Sequence, residues 1–271
     1  MKQKSRFPAC YLALLLVLMY LPILLVVVYS FNGGRLSSVW EGFSLRWYGT
    51  LFRDAAIFEA LGNSLLLAIL SCLSAAVIGT LGAVGMQRLR SRTAGPIEYL
   101  STLPIMIPEI ILGMVFMAFF SLLGLPFGMT TLVIGHTAFC IPYVFMLVKA
   151  RLVGMDPALA EAARDLGAGE VQVFLHITLP LITPAILSGM LLSFAMIMDD
   201  VIISIFVTGV EVNTLPIKIY SQIKFGVTPE INALCTLMLA ATVLLVLLSD
   251  LIGRPRRRRG ADREKKQEVT Q

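Results

Sequence analysis

Three long stretches without any Asp, Glu, Lys or Arg constrain the fold of this chain more than any other feature. They run from Tyr11 to Gly34, from Ala60 to Gln87 and from Ile231 to Ser249. Each is close to the roughly 20 residues that an α-helix needs to cross a bilayer. The hydrocarbon core offers no water to the backbone, so each stretch is predicted to be a helix that satisfies its own hydrogen bonds. With 57% hydrophobic and 14% charged residues among 271, and a mean hydropathy of +0.84, the composition excludes a soluble globular domain.

Two further apolar regions predict three more spans. Residues 99–148 carry a single charge, Glu109, and are too long for one span. Glycine and proline between Gly124 and Gly128 favour a turn there, which divides this region into two helices. Pro104 and Pro108, which precede Glu109, predict a kink in the first of these helices. Residues 181–210 form the last apolar region, which two adjacent aspartates interrupt. The total is therefore six predicted spans.

The basic residues predict the orientation. If the N-terminus is inside, most of the 22 Lys and Arg residues fall in pieces assigned to the cytoplasm, as the positive-inside rule requires. We therefore predict an all-α integral membrane protein with six transmembrane helices and both termini cytoplasmic. Residues 1–252 form the transmembrane domain, and residues 253–271 form a basic, disordered tail. Arg254 to Arg259 directly follow a span, which favours contact with lipid headgroups over binding of nucleic acid.

Residues 150–180, named here the signature loop, form a polar, alanine-rich segment between two apolar regions. The loop is predicted to face water and to contain a short helix. Asp156 is placed to accept hydrogen bonds from the free amides of the first turn, and Pro157 suits the first helical position. Gly167 supplies the left-handed residue that closes such a helix. Composition alone is equally compatible with an ordinary surface helix.

Seven residues of the signature loop follow a fixed pattern of E-A-A, three residues, G, nine residues, I, one residue and L-P. They are Glu161, Ala162, Ala163, Gly167, Ile177, Leu179 and Pro180. This pattern resembles the signature of the membrane-spanning subunits of binding-protein-dependent ABC importers. The resemblance implies a type I ABC importer permease fold, in which the loop forms a coupling helix seated in a groove of a cytoplasmic ATPase. It also implies that the glutamate meets a basic residue of that ATPase.

The same resemblance implies a set of partners and a location. The partners are a second homologous permease subunit, two copies of a cytoplasmic ABC ATPase and an extracytoplasmic substrate-binding protein. The location is the bacterial inner membrane, where lipid surrounds the spans.

Further motifs narrow the resemblance. They lie at residues 42–48, 63–64, 198–201, 206–209, 215–221 and 226–234. Together they resemble the spermidine/putrescine permease family, in particular the second of its two paired permeases, which implies a polyamine substrate. Where that family has Gly-Pro after a Thr-Gly corner, this chain has Gly209-Val210, so the outer loop is expected to differ.

Three acidic residues within the apolar regions are candidates for a substrate path: Glu109, Asp199 and Asp200. A charge near the bilayer centre costs about 2.5–3.5 kcal/mol on insertion scales, so such a residue faces a partner or a water-filled path. Alternatively, Glu109 forms a structural ion pair or lies near the cytoplasmic end of its span. The two aspartates alternatively cap a helix or pair with a neighbouring subunit.

The remaining reactive residues form no metal or catalytic constellation. His136 lies alone in an apolar region, which is typical of a hydrogen-bonded packing residue, and His176 is the second of only two histidines. The four cysteines occur singly, without a C-x-x-C pair. No G-x-x-x-x-G-K-[ST] phosphate loop is present. The chain is therefore predicted to bind no metal or cofactor and to be non-catalytic, with ATP hydrolysed by a separate partner.

Other solutes and other classes of protein stay open at this stage. Within the same class, the substrate is alternatively ferric ion, sulfate or a phosphonate, although an anion would be repelled by Asp199 and Asp200. From a different class, a passive channel or an intramembrane enzyme would use Glu109 and Asp199. Co-purification with an ATPase distinguishes the importer from both.

Overall fold

The computed structural model describes residues 7–35, 39–87, 91–224 and 226–253. These residues contain no strand, and an isolated antiparallel bridge joins Asn32 to Phe43. The predicted all-α class is therefore confirmed for the described part of the chain. From residue 254 on, the predicted basic tail lies outside the described residues.

The described residues form twelve α-helices. In chain order they are α1 (Phe7–Tyr29), α2 (Arg46–Leu51), α3 (Ala55–Met86), α4 (Ser91–Met106), α5 (Glu109–Leu122), α6 (Met129–Val153), α7 (Ala158–Asp165), α8 (Glu170–Val173), α9 (Leu179–Asp199), α10 (Ile202–Val207), α11 (Leu215–Ile223) and α12 (Pro229–Gly253). A π turn, Phe174–Thr178, joins α8 to α9.

Four helical segments of the described chain are long and apolar enough to cross a membrane. They are Cys10–Tyr29, Ala55–Met86, Met129–Val153 and Glu170–Asp199. Helices α4 and α5 add a fifth if together they make one span, and α12 contributes a shorter apolar segment, Pro229–Leu244. The structure thus supports a multi-pass membrane protein, while the number six stays a prediction.

Residues 55–221 form one compact unit, built on α3, α6 and α9 packed against one another. Val144 of α6 is fully buried between two glycines. A Cβ on Gly79 would lie 3.0 Å from the Val144 Cβ, and a Cβ on Gly189 would lie 3.0 Å from the Val144 Cα. Without an aqueous driving force, membrane helices gain from the close van der Waals contact that such small residues permit.

Helices α4 and α5 meet at a sharp break where the sequence predicted a kinked single helix. Their axes differ by 106°. Pro108 has an extended conformation (φ −54°, ψ 133°), and it has no N–H with which to continue the hydrogen-bond ladder of α4. Proline also disfavours helical geometry at the residue before it, Ile107. Glu109 is therefore the first residue of a new helix.

The turn predicted between α5 and α6 is confirmed. Gly124 adopts a positive φ of +63° directly after α5, and α6 begins at Met129. These two helices belong to the unit that contains the candidate site.

A second compact unit comprises residues 1–54 and 222–271. In its described part, α1 and α2 both pack against α12. The loop after α1 is organised around the buried side chain of Asn32, whose amide donates to the Val39 carbonyl (2.6 Å) and whose oxygen accepts from the Glu41 N–H (2.8 Å). The Trp47 indole donates to the Asn32 carbonyl at 2.9 Å. The described part of this loop is thus held by side-chain hydrogen bonds and carries aromatic side chains.

Candidate functional site

The signature loop contains the short helix that the sequence predicts, α7. Asp156 Oδ1 accepts a hydrogen bond from the Ala158 N–H at 3.0 Å, so the carboxylate satisfies one of the free amides at the helix start. Pro157 directly precedes the helix with a helical φ of −61°. Proline needs no partner there, because the first amides of a helix have none within it.

The C-terminal end of α7 closes with a Schellman motif. Gly167 has a φ of +86°, as predicted. Its N–H bonds to the Arg164 carbonyl at 2.9 Å, and the Ala168 N–H bonds to the Ala163 carbonyl at 3.0 Å. No atom lies within 4 Å of the point where a Cβ on Gly167 would sit. The glycine is thus required for its backbone conformation, since there is ample space for a side chain.

An ion pair fastens α7 to α8. The Arg164 Nε donates to Glu170 Oε1 at 2.7 Å, and both side chains are about half exposed. The hydrogen bond that Arg164 donates to Glu170, together with the negative charge of that carboxylate, raises the pKa of the Arg164 guanidinium above its usual value. The pair holds the two helices of the loop together across the turn at Gly167.

The last three signature residues lie at the π turn and the start of α9. The Leu179 N–H bonds to the Phe174 carbonyl, five residues back, as in a π-helix. Pro180 follows and has no N–H, so the regular α-helical ladder loses a donor at this point. Ile177 and Leu179 are half-buried. From Glu170 to Asp199 the chain is one continuous helical segment of 30 residues.

Two exposed hydrophobic residues of the signature loop were missed by the sequence analysis. Leu166 is 90% exposed and Val171 is 70% exposed, on either side of Gly167. Glu161 and Ala162 are exposed as well. The signal that could have identified them is the presence of isolated apolar residues in a polar loop that is predicted to face water. These four residues and the glycine give the loop an accessible, partly apolar surface.

A cavity of about 540 Å³ brings the three predicted acidic residues together. Its lining residues are Glu109, Ala195, Met196, Asp199, Asp200, Val201 and Ile202. The first comes from the start of α5 and the others from the region where α9 ends and α10 begins. Glu109 and Asp199 are exposed, whereas Asp200 is only 7% exposed. The three carboxylates therefore share one cavity but differ in their contact with solvent.

The chain breaks between α9 and α10 at the aspartate pair, where the sequence analysis predicted one span over residues 181–210. Asp200 has an extended backbone (φ −73°, ψ 119°). Its Oδ1 accepts from the Ile203 N–H at 3.2 Å, while Oδ2 accepts from the Ser204 N–H at 2.9 Å and the Ser204 hydroxyl at 3.0 Å. Asp200 therefore caps α10, which is one of the two alternatives that the sequence left open.

His136 of α6 is the other polar residue buried at this break. Its side chain is fully buried, and Nδ1 lies 2.8 Å from the Leu132 carbonyl oxygen. Its Nε2 lies 3.1 Å from Asp200 Oδ2 and 3.3 Å from the Ser204 hydroxyl. The sequence predicted a hydrogen-bonded packing residue, which is confirmed, but it did not predict this partner.

No group of three or more His, Cys, Asp or Glu residues suited to hold a metal ion occurs within the described ranges. The four described cysteines are unpaired as disulfides, with Cys72 and Cys140 buried in the α3–α6–α9 core. The polar chemistry of this unit therefore concentrates at the cavity and at the signature loop.

Three of the sequence matches to known proteins identify the family. Residues 75–258 match a family model described as "Binding-protein-dependent transport system inner membrane component". The chain is 40% identical over 236 residues to the spermidine/putrescine transport system permease protein PotC of Escherichia coli (strain K12), covering 87% of this chain and 89% of that relative. It is 43% identical over 230 residues to the putrescine transport system permease protein PotI of the same strain, covering 82% of each chain.

Two of the solved structures that are similar in fold illustrate the likeness. One is a crystal structure of a bacterial ABC transporter involved in the import of the acidic polysaccharide alginate, with a TM-score of 0.71 and 14% identity, covering 94% of this chain and 99% of that chain. The other is the inward-facing MetNI methionine ABC transporter, with a TM-score of 0.56 and 19% identity, covering 78% of this chain and 97% of that chain. At such identities the likeness describes the fold alone.

Proposed function

The chain belongs to the family of binding-protein-dependent transport system inner membrane components, and from this we propose that it is the permease subunit of an ATP-driven importer of polyamines, spermidine or putrescine. The observation that carries the substrate proposal is the cavity lined by Glu109, Asp199 and Asp200. The cavity lies at a break in a membrane helix. Irregular backbone at membrane depth is tolerated where it lines such a cavity, as in transport proteins.

Electrostatics favours a cationic substrate for this cavity. A polyamine is a flexible apolar chain with two or more ammonium groups. Carboxylates that line a cavity with low-dielectric walls raise the local concentration of such a cation. The lining also includes Met196, Val201 and Ile202, which offer apolar contact to the methylene groups. The relatives whose names mention spermidine or putrescine support the same substrate class.

The signature loop is proposed to couple this cavity to ATP hydrolysis. In the proposal α7 docks on a cytoplasmic ATPase, with Glu161 facing a basic residue and Leu166 and Val171 filling apolar depressions. The helical segment Glu170–Asp199 begins in the loop and ends at the cavity. At 1.5 Å per residue, 30 helical residues extend about 45 Å, enough to cross the membrane. A displacement of the loop would thus reach the break through one rigid element.

The rest of the assembly follows from this proposal. Six spans with both termini cytoplasmic place the signature loop on the ATPase side of a bacterial inner membrane. The chain pairs with a second, homologous permease and two copies of the ATPase, and it receives substrate from an extracytoplasmic binding protein. The chain itself hydrolyses no ATP.

Uptake of labelled putrescine and spermidine tests the substrate proposal. The measurement uses cells lacking this chain and other polyamine transporters, with and without the gene restored. We expect uptake of at least one label to return with the gene and to require ATP. If neither label is taken up while the chain co-purifies with an ATPase, the importer stands and the polyamine assignment is wrong.

Charge reversal at Glu161 tests the coupling proposal. Glu161→Lys places a positive charge against the basic residue of the ATPase, so we expect unchanged membrane insertion but loss of ATPase co-purification and of uptake. Glu59→Lys, at an exposed glutamate in the first turns of α3, makes the same charge change outside the loop. Normal ATPase binding by Glu161→Lys, or equal loss in both variants, would contradict the docking role.

A further inference from the structure

The hydrogen bonds of His136 determine where its protons lie. Its Nδ1 faces the Leu132 carbonyl oxygen at 2.8 Å. A carbonyl oxygen only accepts hydrogen bonds, so Nδ1 carries a proton. A neutral imidazole has one protonated nitrogen, which would leave Nε2 with a lone pair. That lone pair would point toward Asp200 Oδ2, 3.1 Å away.

The contacts of Asp200 determine whether the proton between His136 Nε2 and Asp200 Oδ2 is bonded to the nitrogen or to the oxygen. Two acceptors cannot face each other at 3.1 Å in a buried site without a proton between them. Oδ2 already accepts from the Ser204 N–H and hydroxyl, and Oδ1 accepts from the Ile203 N–H. Three such donors favour the ionised carboxylate. The proton therefore belongs on Nε2, which makes His136 an imidazolium.

A neutral His136 would require a poorer arrangement. The Ser204 hydroxyl, 3.3 Å from Nε2, would turn to donate to the ring. The carboxylate would then lose its hydroxyl donor and still lie 3.1 Å from the ring lone pair. Burial makes both losses costly, since His136 is fully buried and Asp200 nearly so.

We propose that His136 is a buried, permanently charged counter-ion of Asp200 and that this ion pair is a positioning element. Glu109 and Asp199 are then the carboxylates that meet the substrate. The second part of this inference rests on the proposed function. The Asp200 carboxylate accepts hydrogen bonds from three protein donors and from one imidazolium, and the residue is 7% exposed. Within the described residues, no hydrogen bond or ion pair is formed by the exposed side chains of Glu109 and Asp199.

The pair acts on Asp199 through the backbone. Asp200 holds the first turn of α10, and its bond to α6 fixes the end of α9. Asp199 is the last residue of α9 and precedes Asp200 directly, so its side chain is directed into the cavity by a break that the pair maintains. The cavity then offers two carboxylates, which suits a substrate with two ammonium groups.

Nitrogen NMR of the imidazole rings tests the charge of His136 without any substrate. The chain has only two histidines, so His176→Gln leaves His136 as the single labelled ring in the full-length protein in lipid bilayers. We expect both ring nitrogens to be protonated at neutral pH. In Asp200→Asn, we expect one of them to lose its proton. An unprotonated nitrogen in the protein with native Asp200 would overturn the inference.

A comparison of KM and maximal rate tests the division of roles. Asp199→Asn removes a substrate contact, so we expect the KM for the transported polyamine to rise about tenfold. Asp200→Asn disturbs the break, so we expect the maximal rate to fall while KM changes less than about threefold. Rates are scaled to the amount of permease in the membrane. An equal rise in KM in both variants would assign Asp200 to the substrate and overturn the inference.

The two measurements separate this inference from the proposed function. A doubly protonated His136 in a chain that transports no polyamine would leave the ion pair in place and reject the substrate. A neutral His136 in a chain that transports polyamines would reject the ion pair alone.

Discussion

Asp156 and Asp200 each cap the start of a helix, and they do so in opposite settings. Asp156 lies exposed in the signature loop and accepts from Ala158, two residues along the chain. Asp200 lies buried at the break in the membrane helix and accepts from its own segment and also from His136, 64 residues away. The first cap is complete within its own loop, whereas the second needs another helix.

This difference indicates how the two regions behave mechanically. A helix with local caps at both ends persists as a unit when its surroundings move, so α7 is suited to docking. A cap whose partner is buried and distant in sequence is as stable as the packing that holds that partner. The break between α9 and α10 is therefore expected to be rigid. Local stability in proteins varies in this way with burial and contact density. We therefore expect the loop to move as a body and the break to resist deformation.

The largest expected effect is the loss of the buried cap. Asp200→Ala removes the counter-ion, so we expect His136 to lose a proton and to remain buried with one partner fewer; breaking a buried ion pair by removing one partner typically costs about 3–5 kcal/mol. Asp156→Ala removes the exposed cap and costs about 1 kcal/mol, confined to the loop. In detergent, the midpoint temperature of thermal unfolding of the purified protein should decrease strongly in Asp200→Ala and change little in Asp156→Ala. Similar decreases would remove the distinction between the two regions.

An intermediate effect is expected at the end of α7. Gly167→Ala forces an alanine into the left-handed region and costs about 1–2 kcal/mol. Gly169→Ala is the matched control, because Gly169 has a φ of −70° and a Cβ there would meet no atom closer than 3.9 Å. We expect Gly167→Ala to increase protease cleavage of the loop and reduce ATP-driven uptake, with global unfolding unchanged. If Gly169→Ala has the same effect, the left-handed conformation is not the cause.

The smallest expected effect concerns the exposed ion pair of the loop. Arg164→Gln removes a contact that salt screens, since the Debye length is about 10 Å at 0.1 M ionic strength. We expect slightly faster protease cleavage of the loop at low salt and no difference from the native chain at high salt. Asp165→Asn changes one charge of the same helix without touching the pair and serves as the control. A difference that persists at high salt would show a packing role for Arg164.

The direction of the Arg164 pKa shift predicts that the Arg164–Glu170 ion pair does not respond to pH between neutral and mildly alkaline values. The hydrogen bond to Glu170 and the negative charge of its carboxylate raise the pKa of the Arg164 guanidinium above its usual value. The resulting stabilisation is fully present below the unfolded pKa and is lost only as the pH rises through the higher folded value. Neutral and mildly alkaline pH therefore leave the arginine charge in place. Loss of the pair on going from neutral to mildly alkaline pH, seen as faster loop cleavage, would contradict this.

The sequence predicted the parts of the fold that depend on neighbouring residues. The helix at α7, its cap at Asp156 and the left-handed Gly167 are confirmed, as is the turn at Gly124. The helix break at Asp199 and Asp200 was not predicted, since the sequence analysis placed both residues in one span. The roles of these aspartates in transport, the number of spans and the partners stay predictions.

Other features escaped sequence analysis because they depend on three-dimensional packing. The 106° break before Glu109 was expected as a kink, and the angle is a matter of which neighbours the two helices pack against. The π turn before Pro180 was not predicted, since a proline in the first turn of a helix is ordinarily accommodated without one. The partnership of His136 and Asp200 joins residues 64 positions apart, and no local pattern encodes it.

The sequence by itself determined that this chain forms apolar helices and where α7 begins and ends. The length of an apolar run, a proline without an N–H and a glycine at positive φ all act within a few residues of their own position. Only the tertiary structure decided that Asp200 is paired and Asp199 is exposed. The two are adjacent and chemically identical, and the packing of α6 against α9 and α10 places an imidazole beside one of them.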